Sequence, residues 1–226
     1  MLLEMGEKPD EVVAVIEKKF DERDEDDFFA NGKMAALLLK ASPENAKIGA
    51  WFEEQVRHED KYHRLGALSA MSYAGDAGKP SLPIINRRLH DESPAVRVAA
   101  ASAVWRIEGD AVTAVPILLA TLDVEGETYR NRPSGISEWL PDHRIVAVGA
   151  LGEITKHKKE IAQALLPLLN DDDELVQFMT LRSLARLNER GPGIVEAVRK
   201  KTNSQESLVA NEANETLKRI TADEPR

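Results

Sequence analysis

An apolar pattern that returns every 33 residues is the feature that most constrains this fold. In residues 94–108, Val96, Ala100, Val104 and Ile107 recur at spacings of 4, 4 and 3, which aligns them along one face of a helix. Five equivalent sets are Ala30, Met34, Leu38 and Ala41; His63, Ala67, Met71 and Ala74; His143, Ala147, Leu151 and Ile154; Val176, Thr180, Leu184 and Leu187; and Val209, Ala213, Leu217 and Ile220. One shift is 47 instead of 33, so the sequence predicts six copies with a single 14-residue insertion.

The other helix of each repeat, which is the first of the pair, obeys the same shifts. Val115, Leu118 and Leu122 map onto Leu82, Ile85 and Leu89 in one direction, and onto Ala162, Leu165 and Leu169 in the other. Each repeat is therefore an antiparallel helix pair, and stacking of the pairs buries their apolar faces. We predict an all-α fold, a right-handed α-α superhelix (solenoid) of six helix-pair repeats.

The predicted solenoid is one domain over residues 1–226. Its repeats span about 9–42, 43–75, 79–108, 111–156 with an inserted loop at 124–140, 158–188 and 190–221. The second helix of each pair is predicted near 27–41, 61–74, 94–108, 142–156, 174–188 and 207–221.

The stretch DESPAVRVAAASAVWRIEGDAVTAVPILLATL resembles a HEAT repeat of the short, phycobilisome-lyase-like kind. The resemblance extends over roughly residues 79–190. It implies an Asp/Arg pair that ties neighbouring repeats together, here Asp91 with Arg97. Arg64 and Arg144 occupy the Arg97 position in their repeats, whereas Gln177 and Ala210 are expected to end this ladder. Such a resemblance implies an architecture and a binding surface, but no particular ligand.

Composition and charge exclude several classes of protein. No stretch approaches the roughly 18 apolar residues of a membrane span, so no membrane partner is expected. The net charge is −9, and residues 1–60 hold 16 acidic against 8 basic side chains. The run DERDEDD at 21–27 would repel phosphate, which argues against nucleic acid as a partner. The absence of cysteine excludes disulfides and thiolate sites but does not fix the compartment, for which the cytoplasm is the preferred expectation.

The sequence lacks the common signatures of catalysis. It has no Gly-rich phosphate loop and no GxSxG, HExxH or EF-hand motif. We therefore predict no enzymatic activity, no catalytic residues, no metal site and no cofactor. The alternative is an enzyme or enzyme-associated HEAT domain that resembles a phycobilin lyase or a metal-dependent hydroxylase. A HEAT-like DNA glycosylase is disfavoured because it needs a basic groove with aromatic residues and a carboxylate.

Histidine is a common metal ligand, and this chain has five. Deoxyhypusine hydroxylase, a HEAT-like enzyme, binds iron through repeated His-Glu pairs, and this chain offers His58-Glu59 and the looser His90-Asp91. Two pairs, 32 residues apart, are too few and out of phase with the period. His63 and His143 fall on the packed stripe, where we expect hydrogen-bonded core or inter-helix histidines.

The insertion between residues 124 and 140, VEGETYRNRPSGISEWL, is the one break in the repeat and is the predicted longest irregular segment. It is rich in the residue types that dominate binding hot spots. The sequence predicts a groove lined by second helices and flanked by this loop. The candidate partner-binding residues are Tyr129, Arg130, Arg132 and Trp139 in the loop, and Tyr73, Trp105, Arg106, Arg182 and Arg186 on second helices.

These observations predict an interaction or scaffold module that binds a protein or peptide through its concave face and the inserted loop. The two ends are expected to differ. Asn211, Asn214 and Lys218 should lie exposed on the last helix, as in a capping repeat. An apolar start, with Leu2, Leu3 and Met5, suggests that the chain could continue a larger array at its N-terminal end.

Overall fold

A computed structural model describes residues 9–25, 27–124, 142–191 and 193–222. Contacts divide the chain into two compact units, Met1–Asp110 and Ala111–Arg226, which are described separately below. The single domain over residues 1–226 stays a prediction. In the described residues, helices joined by turns are the regular secondary structure and no strand occurs, which confirms the all-α repeat fold. Of the inserted loop, only Val124 is described; the apolar residues Leu2, Leu3 and Met5 also lie outside the described residues.

The first unit contains three helix pairs. The helices are α1 (Pro9–Asp21) with α2 (Phe28–Ala41), α3 (Ala46–Arg57) with α4 (Lys61–Met71), and α5 (Leu82–Arg87) with α6 (Pro94–Glu108). Two 3₁₀ segments, Gly75–Ser81 and Arg88–His90, flank α5. Each second helix packs on its own partner, and α4 also packs against both α2 and α6. The second helices thus form one layer of this unit.

The second unit repeats the arrangement with three more pairs. They are α7 (Ala111–Ala120) with α8 (His143–Leu151), α9 (Lys158–Leu165) with α10 (Glu174–Leu187), and α11 (Ile194–Lys201) with α12 (Ser207–Thr221). A 3₁₀ segment, Leu166–Asn170, follows α9. Here α10 packs against α8 on one side and α12 on the other.

The predicted second helices are confirmed, and local chemistry sets their boundaries. Asp27, Asp60, Asp142 and Asp173 cap α2, α4, α8 and α10 by accepting hydrogen bonds from main-chain N–H groups of the first turn. At the other end, α6 stops at Gly109, which adopts the left-handed φ of 72° that glycine tolerates best. Helix α8 ends at Leu151, earlier than the expected residue 156, because the chain turns at Gly152.

The predicted stripes form the core. In repeats three to six, every stripe residue is buried except Leu217, which is half-buried. The first repeat fits less well, because Ala30 and Met34 are half-buried and Ala41 is exposed. The 33-residue period therefore identifies the core residues best away from the start of the chain.

Buried ion pairs join neighbouring repeats, although not with the pairing that the resemblance implied. The Asp91 carboxylate does not bond to Arg97. It accepts from Nη2 of Arg64 in the preceding repeat at 2.9 Å and from Nη1 of Arg88 at 3.3 Å. Arg97 instead donates to the main-chain carbonyls of Asp91 and Glu92, because its helix starts just after them.

The second unit contains the same link and a polar substitute for it. Arg144 Nη1 donates to Asp171 Oδ2 in the next repeat at 2.7 Å. At the next position, Gln177 lacks the charge for an ion pair, but its amide donates to the Asp171 carbonyl at 2.7 Å. Lys201 of the sixth repeat then donates to Gln177 Oε1 at 3.2 Å. A hydrogen bond from the Lys201 ammonium to the uncharged Gln177 amide therefore joins the fifth and sixth repeats, where the ladder of ion pairs was expected to end.

Candidate functional site

Three residues occupy the same position in successive repeats of the first unit, near the C-terminal ends of the second helices. They are Lys40, Tyr73 and Arg106, each 33 residues from the next. Tyr73 is 60% exposed. The Arg106 guanidinium lies 5.6 Å from the centroid of the Tyr73 ring and donates to Ser72 Oγ at 3.1 Å. The structure therefore brings together two of the predicted site residues, Tyr73 and Arg106, and restrains the arginine.

A groove opens between α2 and Tyr73, which lies in the turn that follows α4. It has a volume of about 340 Å³ and is lined by Lys33, Ala36, Leu37, Lys40 and Tyr73; we call it the α2–α4 groove. Leu37 is 46% exposed, although Leu38 and Leu39 beside it are buried. An apolar side chain and a phenol ring thus face solvent together at this groove.

Lys33, Leu37 and Lys40 were not among the predicted site residues. A signal for them was present, because the run Leu37-Leu38-Leu39 holds more consecutive apolar residues than one buried helix face can accept. Leu37 is also outside the stripe defined by Met34 and Leu38. Sequence alone does not show that Tyr73, in the turn after α4, lies next to Leu37.

Charge is segregated in the first unit. Helices α2, α4 and α6 together carry six basic residues and one acidic residue, Glu108, although the whole chain has a net charge of −9. Lys33 and Lys40 are exposed, and neither forms an ion pair or side-chain hydrogen bond within the part of the chain that the structure describes. The second-helix layer of this unit is therefore positively charged.

The other predicted site residues lie elsewhere. Trp105, on α6, is half-buried, so only part of its indole is available to a partner. Arg182 and Arg186 are exposed on α10 of the second unit and do not line the α2–α4 groove. Arg182 lies 5.6 Å from the Phe178 ring centroid, and Arg186 Nη1 is 4.0 Å from Glu153 Oε1. The four loop residues, Tyr129, Arg130, Arg132 and Trp139, lie outside the described residues.

The histidines of the repeat stripe have the structural roles that were predicted. His143 is buried, and its Nε2 donates to the Thr121 carbonyl at 3.2 Å. Burial lowers the pKa of His143, and this effect exceeds the opposing attraction of Asp142. The imidazole of His63 stacks on His58 and packs at a tilt against the Phe28 ring, and its Nδ1 donates to Gln55 Oε1.

The looser His90-Asp91 pair is occupied by other contacts. His90 is exposed, whereas the Asp91 carboxylate accepts hydrogen bonds from Arg64, Arg88 and the main-chain N–H of Ser93. Within the described ranges, no group of three or more His, Asp or Glu side chains is arranged to hold a metal ion. None of the helices in those ranges is long and apolar enough to cross a membrane.

Comparison with known proteins identifies the fold but not a family. No protein-family model matches the sequence, and no curated protein sequence is similar to it. A designed armadillo repeat protein matches with a TM-score of 0.52 and 14% identity, over 92% of this chain and 99% of that one. Two engineered proteins solved by the Northeast Structural Genomics Consortium match with TM-scores of 0.52 and 0.53. Their identities are 21% and 16%, over 93% of this chain and 96% and 98% of theirs. This chain therefore has the fold of a helical repeat protein.

Proposed function

We propose that this chain is a HEAT-type interaction module without catalytic activity, which binds a protein or peptide partner. In the first unit, its proposed contact residues are Tyr73, Trp105 and Arg106. In the second unit, Arg182, Arg186 and the inserted loop are candidate contact residues on their own account. The solvent-facing Leu37 and Tyr73 beside the restrained Arg106 carry this proposal.

The physical support is that these residues are prepared for binding. Tyr and Arg are enriched among residues that dominate binding energy. Because Arg106 is already held by Ser72 and the Tyr73 ring, a partner would immobilise little additional side-chain freedom on contact. Helix-pair repeats offer such a surface on rigid elements, which suits recognition of an extended partner.

Selection from a random peptide display library on the purified chain tests the proposal. We expect enriched peptides that bind Tyr73→Ala at least tenfold more weakly than wild type, since removal of a hot-spot aromatic costs about 2 kcal/mol or more. The matched control is Val112→Ala, which truncates a side chain that is 77% exposed on α7 in the second unit. The proposal fails if no peptide is enriched, or if the enriched peptides bind both variants equally.

A further inference from the structure

The charge of the second-helix layer in the first unit points to the chemistry of the partner. Of the six basic residues in this layer, Arg64 is neutralised by the buried Asp91 carboxylate. The other five still exceed the one acidic residue, Glu108, and such an excess attracts an acidic partner and disfavours a basic one. Since the chain as a whole is acidic, this local excess of positive charge cannot be a consequence of overall composition.

The arrangement along α2 gives the position of the charges relative to the apolar surface. Lys33 precedes Leu37 by four residues and Lys40 follows it by three, and all three side chains are exposed. At 1.5 Å of rise per residue, the lysines lie about 6 Å and 4.5 Å from Leu37 along the helix axis. An apolar contact is therefore flanked by a cation on each side.

We infer that the α2–α4 groove binds an acidic peptide segment with one leucine-like side chain on Leu37 and Tyr73. Carboxylates one or two residues before and after that side chain would meet Lys33 and Lys40, because an extended chain advances about 3.3 Å per residue. Arg106 supplies a third cation next to Tyr73. This inference rests on the proposed function and specifies the partner that the module recognises.

An acidic peptide fits this surface better than a nucleic acid does. A nucleic-acid site needs a run of cations that follows the phosphate backbone, and it uses aromatic rings as stacking platforms. Here Leu37 forms part of the groove lining. Lys33 and Lys40 lie on either side of it and do not form a continuous row of cations along which a phosphate backbone could run.

Fluorescence polarisation with labelled peptides tests the inference. The probe has a central Glu-Ser-Leu-Ser-Glu, and the matched peptides replace both Glu by Gln, both Glu by Lys, or Leu by Ser. We expect the Glu-Leu probe to bind at least tenfold more tightly than each of the three, and this preference to weaken as salt is raised. A single-stranded oligonucleotide that displaces the probe more strongly than unlabelled probe would overturn the assignment to a peptide.

Charge reversal locates the site. The double variant K33E/K40E should bind the probe at least tenfold more weakly than wild type, whereas K156E/K159E, which reverses two exposed lysines in the second unit, should bind it normally. Equal binding by both variants, or no binding of the probe to wild type, would refute the acidic-peptide site. If Tyr73-dependent peptides from the library are instead neutral or basic, the interaction module stands and only the partner chemistry is wrong.

Discussion

The Arg64 side chain lies between two repeats of the first unit with almost no exposure to solvent. Side-chain exposure is 5% for Arg64 and 2% for Asp91, so the ion pair between them is not screened by water. Arg64 also donates to two carbonyls of the turn before its own helix, those of His58 and Glu59. One residue therefore fixes the start of α4 and links it to the following repeat.

Replacing Arg64 with Met should destabilise the fold strongly. The change leaves the buried Asp91 carboxylate with Arg88 as its remaining cation and removes the hydrogen bonds to both carbonyls. Breaking a buried pair costs about 3–5 kcal/mol, and we expect a loss toward the lower end because Arg88 remains. Urea unfolding followed by circular dichroism measures the change. The control, Arg57→Met, breaks an exposed pair with Glu53 and should cost about 0.5 kcal/mol or less. Similar losses for the two variants would show that burial is not decisive.

His143 makes the stability of the fold depend on pH. Burial holds its pKa in the folded chain below the 6.5 of an ordinary histidine. As pH falls through about 6.5, the unfolded chain takes up a proton that the folded chain does not, so the free energy of unfolding decreases. His143→Gln retains a donor for the Thr121 carbonyl but does not titrate. Wild type should therefore lose more stability between pH 7.5 and pH 5.5 than H143Q does. Parallel curves for the two proteins would rule out this role, since the other four histidines are common to both.

In the second unit, α8 and α10 approach closely at Gly152, the residue that follows α8, because glycine has no side chain. A methyl group at Gly152 would lie 2.8 Å from the Cα of Ser183 on α10, so main-chain atoms of two repeats would have to separate. Gly152→Ala should therefore lower the free energy of unfolding by about 1–3 kcal/mol. Gly49→Ala in α3 is the matched variant, because no atom lies within 4 Å of a methyl group there. It should stabilise the protein by up to about 1 kcal/mol through helix propensity. Thermal unfolding compares the two, and a stabilised G152A would contradict the packing argument.

The helices themselves were predictable because their signals are local. The apolar spacing and the capping Asp residues place the start of each second helix within about one residue. The ends of α4 and α8 were less predictable, since the apolar positions Ala74 and Ile154 continue the stripe in turns that follow the helices. The partner of Asp91 was also missed, because the choice between Arg64 and Arg97 depends on how neighbouring repeats are offset and not on spacing within one repeat.

For the molecule as a whole, the sequence predicted a repeat fold and part of one surface. Tyr73 and Arg106 were identified from residue type and position, and they do lie together. The groove beside them was not identified from the sequence. Its position depends on which of the three consecutive leucines 37–39 faces solvent, and on Tyr73 lying opposite that leucine. Comparison of equivalent positions in successive repeats did predict the outer face of α12, where Asn211, Asn214 and Lys218 are exposed.

The exposed polar face of α12 leads to a prediction about solubility. At the positions equivalent to Asn211 and Asn214, α10 carries Phe178 and Leu181, which lie half-buried and buried in the second unit. Transferring those side chains to α12 as N211F/N214L would place a large apolar patch in water, and such patches drive association. Sedimentation velocity should show concentration-dependent association of N211F/N214L beyond that of wild type, whereas the polar control N211Q/N214Q should sediment as wild type does. Exposed apolar surface causes aggregation at roughly micromolar to millimolar concentrations, so about 100 µM protein is a suitable test. If N211F/N214L and wild type sediment identically at that concentration, this face contributes nothing to solubility.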